Sequence, residues 1–464
     1  MPIFAKRFLF CAAGVLAVAA VVLLCVNLYL QSDGVQQRIR EAAGRSLGTE
    51  VKIKSSMYTP WSGFVLRGIT VPDPNSADFN AVEATALRLR FALSPLLLSR
   101  RFVITECTLF EPELIVRQLE TGDWVLPITP GRPRAPSAPD ESPRPSSTGP
   151  SFKAELQHFR FRSGSIVFLN AKNRAVATLD KLDVSGQIAP EGSAAGIFEI
   201  GKADFFGALK PRKIGGQFSW NGKVLEMPDI QGSLAGGKLT GKYRVEGNEE
   251  HAFLLGLQLS GVALRKLAED AQLEPGKTEG TLQGSIDLAG DPRSAASVTG
   301  TARFELISAT LKPVDFLSKL GELLQIDELQ LLKLSEARLN LTIHDERVQV
   351  DDVTLKSDNL VLRGKGPVRF NGKMNLDARL LVNAKLQHQL RGVLANNLVD
   401  SEDPNYREIP FSVTGRIDNP KTDLFDKLIG AKVSQDVGGL LMNILRSSAP
   451  PKSEDEKEQK KPVD

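Results

Sequence analysis

The sequence predicts a mostly β protein with one N-terminal transmembrane helix. The body is expected to be an elongated antiparallel β-sheet, curled into a groove or closed as a sandwich, with two or three amphipathic helices. Three observations carry this expectation. Phe8 to Leu30 is one apolar run with a single strongly polar residue, Asn27. From Val51 to about Ile417, apolar residues recur at every second position between Gly, Pro, Asn and Asp breaks. The 39 glycines and 27 prolines are spread along the chain, as many short strands joined by turns require.

A chain of 464 residues is long for a single compact domain. Its 58 Lys+Arg against 55 Asp+Glu leave a formal charge of +3, too small to argue for nucleic acid as a partner. Aromatics at 6% argue against base-stacking platforms as well. Of the 3 cysteines, Cys11 and Cys25 lie inside the apolar run and Cys107 in the body. No disulfide framework or cysteine-based metal cluster fits that distribution.

Residues 8–30 as a helix would extend roughly 35 Å, enough to cross a hydrocarbon core of about 30 Å. Phe8, Leu16, Val22 and Leu30 mark this anchor. Lys6 and Arg7 precede it, which places residues 1–7 in the cytoplasm and the body outside. Cleavage after Ala17-Val18-Ala19 is the alternative, but it would leave the apolar stretch AVVLLCVNLYL as a free end. Either way the body is exported.

Beyond the anchor, Asp33 to Leu47 reads as a short helix. Asp33 serves as its cap, Val35, Ile39, Ala42 and Ala43 form one apolar face, and Gly48 lies past its end. Strand alternation fills the rest of residues 31–129, with a short apolar turn at Leu96–Arg101. The stretch 130–150 holds seven prolines and no large apolar residue, so it reads as an exposed linker or a long excursion from one continuous sheet. Strands resume through 151–300 and 301–425. Two segments have helical period: Asp315–Leu334 and Leu424–Leu445, the latter setting an amphipathic helix at 426–446. Residues 447–464 form a solvated tail.

The clearest alternation runs through Leu339, Leu341, Ile343, Val348, Val350, Val353, Leu355, Leu360, Leu362, Val368, Phe370, Met374, Leu376 and Leu380. Asp345-Glu346-Arg347 makes one turn, and Asn371-Gly372 gives a type I′ hairpin signal. These fourteen residues form a continuous aliphatic face and are the candidate lipid-facing groove. Such a face must fold onto protein, as a sandwich, or stay open as a trough for apolar ligands.

The order of parts resembles the AsmA family of envelope proteins. The resemblance begins at the anchor and helix, then follows Leu47-Gly48, the strand Val51–Lys54 and PWSGFVLRGITVPDP (Pro60–Pro74). A strand pair ends at Pro112, with Gly122-Asp123-Trp124 just after it. The stretch SEARLNLTIHDERVQVDDVTLKSDNLVLRGKGPVRFNGKMNLDARLLV, then IPFSVTGRIDNPKTDL, is similar to the family's C-terminal region, with its Gly-x-Gly step at Gly364 and Gly366. The likeness covers the chain to about Pro74 and roughly residues 300–425, and the middle only in texture. The proline-rich insert and the polar, partly helical Lys385–Arg407 depart from it. What the resemblance implies is a bacterial inner-membrane protein, single-pass, with a periplasmic β-groove whose apolar lining shields lipid chains between membranes. It implies no cofactor and brings no catalytic residues.

Nothing in the chain reads as an enzyme. His158, His251, His344 and His388 lie far apart and lack metal-ligand spacing, and there is no P-loop, nucleophile elbow or dinucleotide fingerprint. His344-Asp345-Glu346 falls in a turn, where charges are ordinarily solvated. The partners expected are the membrane and the acyl chains of phospholipids or other lipids, with envelope or outer-membrane proteins as further contacts. A non-conducting structural or assembly factor for outer-membrane proteins is the alternative reading.

Overall fold

A computed structural model of the chain describes residues 24, 27, 29, 32–47, 50–59, 63–73, 80–92, 103–125, 155–247, 252–273, 278–311, 331–389, 397–417 and 419–429. The described residues are mostly β. Packing divides the chain into two units, Met1–Ile307 with Thr342–Glu346, and Ser308–Leu341 with Arg347–Asp464. Phe8, Leu16, Val22 and Leu30, the proline-rich stretch 130–150 and the tail 447–464 lie outside the described residues. Among the described residues no helix is long and apolar enough to cross a membrane.

The first unit opens with α1 (Asp33–Leu47). The carbonyl of Ser32 accepts the N–H groups of Val35 and Gln36, so the cap is Ser32, one residue before the expected Asp33. Next come β1 (Lys52–Thr59), β2 (Gly63–Pro72), β3 (Asn80–Phe91), β4 (Val103–Phe110), β5 (Glu113–Gln118) and β6 (Trp124–Val125). The outer edge of β1 is bonded by side chains: Asn27 Nδ2 donates to the Tyr58 carbonyl, Tyr58 N–H donates to Asn27 Oδ1, and Arg40 donates to the Ile53 carbonyl. These bonds occupy backbone groups that another strand would otherwise use for pairing. Val51, Ile53, Leu66, Val71, Ala81 and Val82 form a buried core here.

A meander follows: β7 (Glu155–Leu169), β8 (Ala175–Ile188), β9 (Ala194–Phe205), β10 (Arg212–Trp220), β11 (Val224–Leu234), β12 (Gly237–Glu246), β13 (Phe253–Ala263), α2 (Leu264–Asp270) and β14 (Glu279–Gly290). Each strand pairs antiparallel with the next. The join to the earlier strands is different. β4 and β5 lie end to end beside β3, antiparallel, and both pair parallel with β7. A parallel neighbour needs a long crossover rather than a hairpin. The chain between β6 and β7, which contains 130–150, is that crossover, so the strands on its two sides belong to one sheet.

A line of bends crosses these strands. Lys181 and Lys213, both in the left-handed region, flank Gly201 on one rung of β8, β9 and β10. Ser163 on β7 and Glu111 between β4 and β5 carry the same conformation beside them. Left-handed residues in a strand bend it and shift its side-chain alternation. The shift keeps apolar groups together: Leu179, Ala203 and Phe205 on one side of the line pack with Val184, Phe198 and Ile200 on the other. The sheet also coils. A Cβ added at Gly122, at the tip of the β5–β6 hairpin, would lie 3.1 Å from the Arg293 carbonyl oxygen, just past β14. A flat sheet would hold positions eight strands apart roughly 38 Å from each other.

β15 (Thr299–Leu311) and β17 (Glu336–His344) contain the points of division between the units. The second unit contains β16 (Leu332–Leu334), which pairs with Ala309–Leu311. The helical period expected over Asp315–Leu334 therefore does not reach its end, and 312–330 lie outside the described residues. β18 (Arg347–Lys356), β19 (Leu360–Arg369), β20 (Lys373–Asn383), α3 (Ala384–Gln389), β21 (Val399–Asp400), β22 (Tyr406–Arg416), β23 (Asn419–Thr422) and α4 (Leu424–Ile429) complete it. The Asn383 side chain accepts the Leu386 N–H, capping α3. Of the expected helix 426–446, the described part is within α4.

The two turns behave differently. Asp345 and Glu346 both have positive φ, as a type I′ turn requires. At the second turn only Gly372 does, while Gly372 N–H donates to the Arg369 carbonyl and Lys373 N–H to Asn371 Oδ1. That is a type I turn closed by a left-handed glycine, not the expected type I′. The hairpin remains, because Asn371 stabilises the turn through its own side chain.

Candidate functional site

Register lines up one apolar rung across the eight strands β7–β14. Phe161, Val184, Phe198, Gly216, Ile230, Gly241, Leu257 and Ile286 are successive partners. At about 4.8 Å per strand this rung is roughly 34 Å long. A second rung runs Met227, Tyr243, Leu255, Leu288. The neighbouring rung on the opposite face runs Gln231, Thr240, Gln258, Ser285 and is polar throughout.

Burial decides what kind of surface this is. In a closed sandwich, inward side chains at the centre of the sheet are sealed from solvent. Here Phe198 is buried at 8% exposure, while Phe161, Val184, Ile230, Leu257 and Ile286 all stay partly accessible. Sealed groups gather in small clusters, Phe198 with Ala203 and Ile214, and Leu234 with Ala235 and Val262. The rest of the face is a half-open aliphatic floor. Tyr243 stacks on Phe253 at 6.5 Å, and burial pushes its hydroxyl above the usual tyrosine range.

Glycines flatten this floor. A Cβ at Gly186 would meet the Phe159 ring at 2.7 Å, one at Gly241 would meet Leu257 at 2.7 Å, and one at Gly284 would meet Phe304 at 2.6 Å. In each case a large side chain lies down over the glycine of an adjacent strand. The surface is smooth where alternating Leu and Phe would otherwise stand up as ridges.

The fourteen residues expected as groove are not equivalent. Register puts Leu355, Leu362, Leu380 and Ile409 on one rung, and Val348, Val368 and Met374 on another. The step in alternation between Val350 and Val353 is a bulge at Asp351-Asp352. Leu360, Leu380 and Val350 are buried by protein at 1%, 4% and 8% exposure. Leu386 of α3 and Leu424 of α4 are sealed with them at 2% and 0%. Leu339, Leu341, Val348, Val353, Leu355, Leu362, Val368, Met374 and Leu376 are half-buried, and Phe370 is 47% exposed. Ile343, also half-buried, belongs to the first unit. This face is thus a closed core at one end and an accessible surface at the other.

The longest accessible floor, β7–β14, has no residue among those fourteen. Its signal was present in the alternation of Phe159-Arg160-Phe161 and Leu255-Gly256-Leu257-Gln258-Leu259, but at Gly186, Gly241 and Gly284 glycines occupy the floor positions and look like breaks. Among the described residues no group of three His, Cys, Asp or Glu side chains could hold a metal ion. His344 Nδ1 lies 3.0 Å from Asp345 Oδ2, an exposed contact within the turn. Near α4, burial alone would raise the Asp423 carboxyl, but hydrogen bonds from Ser412 and Lys427 outweigh it and hold the group below its ordinary value.

No protein-family model, no curated protein and no solved structure matches the chain.

Proposed function

We propose that this protein is anchored in a bacterial inner membrane by residues 8–30, with its body in the periplasm, and that it binds or conducts lipid acyl chains along its apolar β-floor for outer-membrane biogenesis. The rung from Phe161 to Ile286 carries this reading, because it is long, apolar and partly open to solvent. An acyl chain laid on such a floor gains about 0.8 kcal/mol per buried methylene without any polar contact. That favours many lipids alike and a conduit or platform over a pocket for one small molecule. A non-conducting assembly factor is the second reading, and the sealed core around Leu360 and Leu424 is the feature that favours it.

Lipid mass spectrometry on the full-length protein purified in mild detergent separates the two. Diacyl lipids should co-purify well above the amount carried by residues 1–31 fused to an unrelated soluble domain. Equal amounts on both would leave the body without lipid and favour the assembly factor.

A further inference from the structure

On the face of β7–β10 opposite the floor lies a concavity of about 590 Å³. Register builds its walls. Arg160, Ser185, Ile197 and Gln217 share one rung, and His158, Gln187, Ala195 and Ser219 the next but one. The backbones of Gly186 and Gly196 also line it. Two basic residues, two amides and two hydroxyls face this space, and no carboxylate does. Ile197, 53% exposed, stands beside Pro228 as an apolar corner.

The charge on the β3–β4 side of this space is positive. Arg88 pairs across the ladder with Thr108 and then Arg160, and Arg90 with Glu106 and then His158. Glu106 is shared by Arg90 at 3.1 Å and Arg160 at 3.3 Å. Arg88 lies 5.0 Å from the centre of the Phe110 ring, and Arg162 is exposed one rung away. Arg88, Arg90 and Arg160 around Glu106 leave a surplus of positive charge on this rim, while Asp183 and Glu199 lie on the far side of Ser185 and Ile197.

We propose that this concavity binds a phosphate ester, with the phosphate against Arg160 and the organic part on Ile197 and Pro228. A guanidinium matches phosphate oxygens in pairs, and the amides and hydroxyls donate to those that remain. The apolar corner has no use for inorganic phosphate alone. A lipid headgroup and a soluble phosphate ester share this chemistry. The site is on the other face from the floor, so it stands whether or not the floor holds acyl chains.

Calorimetric titration of the full-length protein in nonionic detergent tests it, with glycerol phosphate and short-chain phosphatidylglycerol as probes. Glycerol phosphate should bind saturably, and Arg160→Gln should weaken it about tenfold or more. Ile197→Asp, which places a carboxylate in the concavity at an exposed position, should do the same with an unchanged melting temperature. Competition between the two probes would identify a lipid headgroup as the natural source. Glycerol phosphate binding that phosphatidylglycerol does not displace would identify a soluble ester. Absence of glycerol phosphate binding, or equal binding by both variants and the parent, would overturn the proposal. So would phosphatidylglycerol binding alone, which would come from acyl chains on the floor.

Discussion

Leu360→Asp should abolish cooperative folding of the β18–β23 unit, while Leu257→Asp should leave the chain folded. Leu360 is 1% exposed, in a core with Leu380, Val382, Ile409 and Phe411, none above 4%. A carboxylate there has no partner and no water, which costs several kcal/mol, a large part of a domain's stability. Leu257 sits on the half-open floor between Gly241 and Ile286. Its replacement loses part of one side chain's burial but lets the carboxylate reach solvent, a loss of roughly 1–2 kcal/mol. Thermal melts followed by circular dichroism, with limited proteolysis to localise the loss, measure both. A Leu257→Asp variant as unstable as Leu360→Asp would mean that the floor is a closed core.

The second large effect is expected at Gly196→Ala, a change of one methyl group. The added Cβ would lie 2.1 Å from the Ser185 carbonyl oxygen, 2.7 Å from Gly186 Cα and 2.9 Å from the Phe218 ring. Two of those neighbours are backbone and cannot rotate away, so β8 and β9 must separate locally. Overpacking of this kind costs about 3 kcal/mol. The control is Gly34→Ala in α1, where nothing lies within 4 Å and helix propensity favours Ala by up to about 1 kcal/mol. A drop in melting temperature for Gly196→Ala with none for Gly34→Ala is the predicted result. Equal behaviour would mean that β8 and β9 do not approach this closely.

Much of the fold was legible in the residues. Period-two alternation located the strands around Leu339–Leu380, but the reading ran through the Val350-to-Val353 slip as if it were unbroken, and only the register places a bulge at Asp351-Asp352. The helix Asp33–Leu47 was legible because Gly48 and the apolar spacing bracket it. What could not be read was set by neighbours distant in sequence. The parallel join of β4 and β5 to β7 depends on where a crossover returns, and composition does not encode that. Lys181 and Lys213 are poor left-handed residues by propensity, and the aligned bend they make exists because adjacent strands share it. The floor of β7–β14 was hidden by its own device, since glycines that flatten it read as strand breaks. The difference between Leu360 and Leu362, two residues apart on one strand, follows from what packs above them and leaves no trace in alternation.

A photo-crosslinking residue at Leu257, compared with one at Gln258, tests the acyl-chain floor most directly. The two positions are adjacent on β13 and point to opposite faces. In intact cells, the probe at Leu257 should capture lipid and the probe at Gln258 should not. Lipid adducts at both positions, or at neither, would contradict the floor as a lipid-binding surface.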